Sequence, residues 1–281
     1  LEAWCSAYPS PEREGFISRK VGIVMAGNIP LVGFHDLLCV LFSGHKALVK
    51  LSSEDRFLLP AIIEIINSND HKFNEYIHIT SERFTGFDAI IATGSNNTNR
   101  YFEYYFGNHP HILRKNRNGI GVLTGLEQES DLEALADDIF LYFGKGCRNI
   151  SKLYVPTGFR FDRLLKPFSK YLHFTDHNKY RNNLDYQRVV LQMNNIGYVD
   201  LGAVLLKEDS AIPSPIAVLH FEFYEEMSGV KERLQGLFDE VQCIVCIDKG
   251  LSGWINLGHA QRTGLHDYAD GVDTMEFLCN L

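Results

Sequence analysis

Apolar residues recur along the first third of the chain in two alternating rhythms. Short continuous runs stand at Lys20–Ala26 (KVGIVMA), Lys46–Leu51 (KALVKL), Tyr76–Ile79 and Phe87–Ala92 (FDAIIA), and they have the length and composition of buried strands. Between them the rhythm changes to a helical one. Pro30–Phe42 carries Leu31, Phe34, Leu38 and Leu41 at helical spacing, and Phe57–Asn67 predicts a second helix. A third follows Gly94-Ser95 and runs through Tyr101–Phe106. Strands alternating with helices of this length predict βαβ units and a parallel sheet. Right-handed crossovers then bring the loop after each strand to one edge of the sheet, the edge where ligands bind.

A second series starts near Gly119. Ile120–Leu123, Ser151–Val155, Ala203–Lys207, Ile216–Phe223 and Val241–Ile247 read as strands. Asp131–Phe143, Phe161–Tyr171 and Gly229–Leu237 read as helices, the first entered through an acidic stretch that suits a positive helix N-terminus. The polar stretch from Tyr171 to Gln187 predicts no element, and the last thirty residues read as irregular with a weak helix at the end. No internal repeat or low-complexity linker is visible.

Composition narrows the function classes. The chain has 281 residues, 45% hydrophobic and 22% charged, which offers enough apolar surface to fold. Lys and Arg number 27 against 35 Asp and Glu, a net charge of -8, so a general nucleic-acid or anionic-membrane binder is not expected. No apolar run reaches the roughly 20 residues of a membrane-spanning helix. The few cysteines suit a reducing cytoplasm, and no signal peptide opens the chain. The chain begins with Leu, so an incomplete N-terminus is expected. Cys243 and Cys246 form a CxxC inside an alternating apolar run, without the second ligand pair that zinc needs, so core packing is expected there and no metal. The histidines show no metal spacing.

Chemistry could sit at several corners. Cys147, in Gly144-Lys145-Gly146-Cys147-Arg148-Asn149, joins a helix to a strand. A thiol there is either a nucleophile stabilised by nearby cations and amide dipoles or a small apolar residue at a helix end. Asn28, between a strand and a helix, is either a helix cap or an amide donor to a developing oxyanion. Gly94-Ser95-Asn96-Asn97 forms a strand-to-helix turn whose N–H groups suit phosphate or a nicotinamide group. Lys50, at a strand end, is either solvated or in reach of a ribose hydroxyl or phosphate.

The order of these motifs is more telling than any one of them. Gly27-Asn28-Ile29-Pro30, then Ser43 to Ser53 (SGHKALVKLSS), then Ala92-Thr93-Gly94-Ser95, then Gly144-Lys145-Gly146-Cys147, resembles the aldehyde dehydrogenase superfamily. More narrowly, the stretches GNIPLVGFHDLLCVLFSGHKALVKLSS, ATGSNNTNRYFEYYF, ILRKNRN, YFGKGCRNISKLYVP and DYADGVDTMEFL resemble the LuxC-type acyl-CoA reductases, the fatty-acid reductases of bacterial luminescence and their relatives. The resemblance spans nearly the whole chain and lacks a segment the family usually has before residue 1. It implies an α/β fold of aldehyde-dehydrogenase type, with a Rossmann-type parallel-sheet cofactor domain and an α/β catalytic domain. The corresponding division is residues 1–119, 120–250 and a C-terminal segment 251–281 that packs back near the site. It further implies that Cys147 is the catalytic nucleophile and Asn28 the oxyanion-hole amide, with the Cys147 N–H as second donor. Lys50 would contact the adenosine ribose, and Gly94 and Ser95 would pack beside the nicotinamide and pyrophosphate.

Two departures sharpen the expectation. Oxidising members of the superfamily carry a water-activating glutamate roughly two dozen residues after the glycine-serine turn; here that region reads Leu113-Arg114-Lys115-Asn116-Arg117-Asn118. The stretch Ala211–Pro215 likewise lacks the family's ribose-binding carboxylate. The implied reaction is reduction of a fatty acyl-CoA or acyl-protein thioester to an aldehyde through an acyl-cysteine. NADPH is preferred over NADH because Lys50 and Ser52-Ser53 tolerate a 2′-phosphate. An acyl-transferring partner subunit and a homo-oligomer are the implied partners. The alternatives are an aldehyde-oxidising enzyme with a base elsewhere, such as Glu222 or Glu225, and a non-catalytic scaffold of the same fold.

Overall fold

A computed structural model describes residues 1–82, 84–237, 239–248 and 253–281, the side chain of Asn96 apart. In chain order the elements are α1 (Glu2–Cys5), β1 (Lys20–Val24), α2 (Phe34–Phe42), β2 (Lys46–Lys50), α3 (Leu58–Asn69), β3 (Ile77–Ile79), β4 (Ala89–Thr93), α4 (Asn96–Phe106) and β5 (His111–Arg114). They continue with β6 (Asn118–Val122), α5 (Glu129–Phe140), β7 (Ile150–Pro156), α6 (Leu165–Ser169), α7 (Asn178–Met193), β8 (Tyr198–Asp200), β9 (Leu205–Glu208), β10 (Val218–Tyr224), α8 (Met227–Gln235), β11 (Val241–Val245) and α9 (Thr274–Cys279). The chain divides into two units: Leu1–Asn116 with Gly264–Leu281, and Arg117–Thr263. The expected boundary at 250–251 lies outside the described residues.

The first unit is built on a five-stranded sheet in the order β3-β2-β1-β4-β5, with every neighbouring pair parallel. The strand order reverses between β1 and β4, so the loops after these strands diverge at a switch point. Val21, Ile23, Ala47, Val49 and Ile91 are fully buried with Leu37 and Val40 of α2, as continuous apolar strands covered by helices must be. The C-terminal segment completes this core. Tyr268 accepts a hydrogen bond from Trp4 Nε1 at 2.8 Å, and Tyr8 donates to Asp273 at 2.7 Å.

The second unit holds a six-stranded sheet in the order β11-β6-β7-β10-β9-β8, parallel except for the antiparallel β8–β9 edge. Its larger core gathers Leu132, Leu135, Ile139, Leu153, Val155 and Leu219 around α5 and α6. Cys243 packs against this core while Cys246 lies in a separate cluster with Ile120, Tyr154 and Val230. The two CxxC thiols therefore serve different packing layers, and burial pushes the Cys243 thiol up to about 12.

Several sequence expectations are corrected. The helix expected over Pro30–Phe42 begins at Phe34, because Leu31 takes a left-handed φ of 57° and its N–H donates to Asp55 Oδ2 at 2.6 Å. The helix expected over Asp131–Phe143 ends at Phe140, because Tyr142, Phe143 and Gly144 are left-handed at φ 56°, 58° and 70°. Phe161–Tyr171 is broken into a 3₁₀ turn over Phe161–Leu164 and the short α6. The polar stretch left without an element contains most of α7, at 16 residues, whose buried stripe of Tyr180, Leu184 and Leu191 was masked by the polar residues between. The strands β5 and β8 were not read from the sequence.

Candidate active site

Two segments carry the candidate chemistry, one in each unit. In the second unit the chain leaves α5, whose start is fixed by a capping box of Gln128 and Asp131, and must reverse into β7. It does so through the three left-handed residues just named. Left-handed backbone costs about 1–2 kcal/mol for a residue with a Cβ, so this segment persists only because its surroundings fix it.

The fixing group is Asn149, which is 3% exposed. Its amide nitrogen donates to the carbonyls of Asp138 at 3.0 Å, Ile139 at 3.2 Å and Leu141 at 2.8 Å. Its Oδ1 accepts from Gly146 N–H at 2.7 Å, and its own N–H donates to the Gly146 carbonyl at 3.0 Å. One buried amide thus satisfies the carbonyls that the end of α5 leaves over and closes a turn over Cys147 and Arg148. Phe143 anchors the other side, 4.4 Å from the Phe174 ring and 5.0 Å from that of His177.

Cys147 stands in that closed turn. Of the six cysteines, all described, it alone is exposed. That exposure is what a nucleophile needs, and it contrasts with the alternative reading of Cys147 as a small apolar residue at a helix end. The sequence motif contains Asn149 without marking it as a clamp; its signal is an amide side chain close to a helix end that has no glycine cap.

In the first unit the other candidates lie along the C-terminal edge of the parallel sheet. Lys50 ends β2, Ser52 follows it, Gly27 and Asn28 follow β1, and Gly94 and Ser95 follow β4. The strands β2, β1 and β4 are neighbours, so the fold gathers these six positions from across the sequence. The loops touch closely. A Cβ on Gly27 would lie 2.3 Å from Ser52 Oγ, so only glycine allows the loop after β1 to press against the one after β2. Gly33 is required in the same way, since a Cβ there would lie 2.5 Å from Met25.

Asn28 is exposed and does not cap α2, whose N-cap position is Gly33; the capping reading is corrected. Ser95 is the N-cap of α4, its Oγ accepting from Thr98 N–H at 3.2 Å. Lys50 Nζ donates to the Glu82 carbonyl at 3.5 Å and stays partly exposed. A cation, hydroxyls and a helix N-terminus at the switch point of a parallel sheet form a donor set that fits ribose hydroxyls and phosphates.

Glu222, the carboxylate considered as an alternative base, is engaged elsewhere. It pairs with the fully buried Lys152, whose Nζ also donates to the carbonyls of Asp209 and Ser210, and with Arg233 Nη1 at 2.5 Å. Both of its oxygens are committed to cations. Glu225 accepts from Thr157 Oγ1 at 2.9 Å. Among the described residues no group of three or more His, Cys, Asp or Glu could hold a metal ion, and no helix is long and apolar enough to cross a membrane.

No protein-family model matches the sequence, and no curated protein matches it. Solved structures do match in fold. A Mycobacterium tuberculosis aldehyde dehydrogenase complexed with NAD+ superposes with a TM-score of 0.62 at 14% identity, over 87% of this chain and 60% of that one. An NAD-dependent aldehyde dehydrogenase from Sinorhizobium meliloti gives 0.64 at 11% identity, over 86% and 55%. The substrate-bound Staphylococcus aureus AldH gives 0.58 at 15% identity, over 83% and 59%. The chain thus has the aldehyde dehydrogenase fold, a mixed α/β architecture with a Rossmann-like sheet, and spans less than two thirds of the length of these structures.

Proposed function

We propose that this chain reduces acyl thioesters to aldehydes with a nicotinamide cofactor, as the LuxC-type acyl-CoA reductases do. The observation that carries the reading is the single exposed cysteine, held by Asn149 in a strained turn at the motif position expected for the nucleophile. In the proposed reaction Cys147 Sγ attacks the carbonyl carbon of an acyl-CoA or acyl-protein thioester. The bond to the donor's sulfur breaks, the donor thiol departs, and an acyl-Cys147 remains. The oxyanion is assigned to the Asn28 amide and the Cys147 N–H; removing one such donor typically costs about 3 kcal/mol.

NADPH, with NADH as second choice, would supply the hydride when bound. Lys50, Ser52, Gly94 and Ser95 are the residues assigned to hold its ribose and phosphates. Cleavage of the Cys147 thioester then releases aldehyde and returns the thiolate. The segment Leu113–Asn118 contains no carboxylate to activate water, and Glu222 is bound by Lys152 and Arg233, which favours reduction over hydrolysis of the acyl-enzyme. A partner subunit that delivers the acyl group, a homo-oligomer and a cytoplasmic location belong to the same proposal.

The test is covalent labelling. Incubation with radiolabelled long-chain acyl-CoA labels the wild-type chain at Cys147, and Cys147→Ala abolishes the label. Undiminished labelling of Cys147→Ala overturns the assignment.

A further inference from the structure

The second unit contains a cavity of about 280 Å³ whose chemistry the proposed reaction does not yet use. Two lysines, Lys145 and Lys179, line it together with His177, Asn182 and Asn183. No acidic side chain is among its lining residues. The remaining wall is apolar: the rings of Phe143 and Tyr180, and Ile216. The Tyr180 hydroxyl is already spent, donating to the Ala203 carbonyl at 2.8 Å, so the tyrosine offers a ring face only. The lining therefore combines cationic groups and the Asn182 amide with aromatic rings, the Asn183 amide already donating to the Lys179 carbonyl at 2.7 Å. Its lining includes the first residues of α7, whose N-cap His177 makes no side-chain capping bond, and the N–H groups of that helix start add to the positive field of the lysines.

Size limits what it can hold. Complete small-molecule ligands occupy pockets of roughly 300–1,000 Å³, so this cavity takes one end of a larger molecule rather than the whole. The charge pattern selects an anion, and ammonium groups with amide N–H donors suit a phosphate ester. Phe143 and Lys145 belong to the same fixed segment as Cys147, four and two residues before it. A ligand seated here lies beside the segment that carries the thiol.

We propose that this cavity binds the phosphate-ester end of the carrier thiol in the acyl donor. The proposal rests on the acyl-thioester reading above and deepens it. It assigns donor recognition to Lys145 and Lys179, with the pantetheine arm running along the Phe143 and Tyr180 rings toward Cys147. Two donors share the required chemistry, free coenzyme A and a phosphopantetheine group, and the experiment separates them.

Isothermal titration of the full chain with coenzyme A, 4′-phosphopantetheine and pantetheine tests this. Coenzyme A is expected to bind at least 10-fold more tightly than pantetheine. Lys145→Gln and Lys179→Gln are each expected to weaken coenzyme A about 5- to 10-fold while leaving pantetheine affinity, NADPH affinity and the far-ultraviolet circular dichroism unchanged. Phosphopantetheine matching coenzyme A in both respects places the 4′-phosphate in the cavity; phosphopantetheine matching pantetheine places the nucleotide end there. Equal affinity for coenzyme A and pantetheine, or no response to either substitution, overturns the proposal.

A second measurement keeps the two readings apart. Cys147 labelled by acyl-pantetheine as readily as by acyl-CoA, in wild type and in both lysine variants, would retain the reductase and remove this subsite. Phosphate-dependent binding without any labelling of Cys147 would retain the subsite and remove the reductase.

Discussion

Segments 25–33 and 141–149 are both corners that carry candidate chemistry, yet they are held in different ways. The first contains one left-handed residue with a Cβ, Leu31, held by the Asp55 carboxylate, and leads into α2. That helix is fixed by an ion pair, Asp36 Oδ2 to Arg114 Nη1 at 2.7 Å, with side chains 3% and 8% exposed. Arg114 also donates to Thr274 Oγ1 at 2.8 Å, which ties the C-terminal segment to the same point. The second corner contains two consecutive left-handed residues with a Cβ, Tyr142 and Phe143, and is held by the neutral amide of Asn149. Beside it Asp138 accepts from Gly258 and Ala260 N–H at 2.6 and 3.0 Å. Unit one fixes its corner with an ion pair, unit two with the neutral amide of one asparagine, and the second backbone carries more strain. A charged clamp fails when one partner is lost, whereas an amide clamp fails when its several carbonyls are left without donors.

The largest effect is expected in the first unit. Asp36→Ala leaves Arg114 buried and uncompensated, and a loss of about 3–5 kcal/mol is expected. Urea unfolding followed by the fluorescence of Trp4, which lies in this unit's core, reads it. Asn149→Ala strips donors from buried carbonyls and releases the turn over Cys147, at a cost of about 2–4 kcal/mol. The alkylation rate of Cys147 should change with it, while the fluorescence transition of the first unit stays in place. If both corners respond to either substitution, the contrast between them is wrong.

The third effect depends on pH. Burial raises Asp138 to about 6, outweighing the Gly258 and Ala260 N–H groups that lower it. The folded state therefore holds this proton more tightly than the unfolded chain does. Its contribution is complete below about pH 4 and is lost as the pH rises through 6, by about 2–3 kcal/mol. Asp138→Asn should flatten that difference, checked by denaturation midpoints at pH 4, 5, 6 and 7; an unchanged slope would assign it to other groups. The smallest effect has the opposite sign. Tyr142→Gly removes the left-handed penalty at an exposed residue, and a gain of about 0.5–1 kcal/mol is expected after the entropy cost of glycine. A loss would show that the Tyr142 side chain itself supports the turn.

The parallel sheet of the first unit was legible because its strands are continuous apolar runs and its helices keep a clean period. The same local signal misread both corners. Leucine, tyrosine and phenylalanine favour right-handed backbone, so the apolar pattern extends the helix of Pro30 and that of Asp131 through residues that turn left-handed. The polar surface of α7 hid a helix whose buried stripe is only three residues wide, and with it the lysine-lined cavity. Lys152 and Glu222 carried no signal at all, because a strand lysine and a strand glutamate meet only once β7 and β10 pair.

By itself the sequence determined an α/β chain with a parallel sheet and the positions of a thiol, an amide and a glycine-serine turn, since these depend on short-range pattern and on order along the chain; the aldehyde-dehydrogenase type entered through the resemblance of those motifs. Tertiary structure alone decided that Cys147 is the exposed cysteine, that Asn149 fixes its turn, and that Lys50, Ser52, Asn28 and Ser95 stand along one sheet edge. The physical reason is that exposure, strain and hydrogen-bond satisfaction are properties of contacts between residues far apart in sequence, and a linear pattern contains none of them.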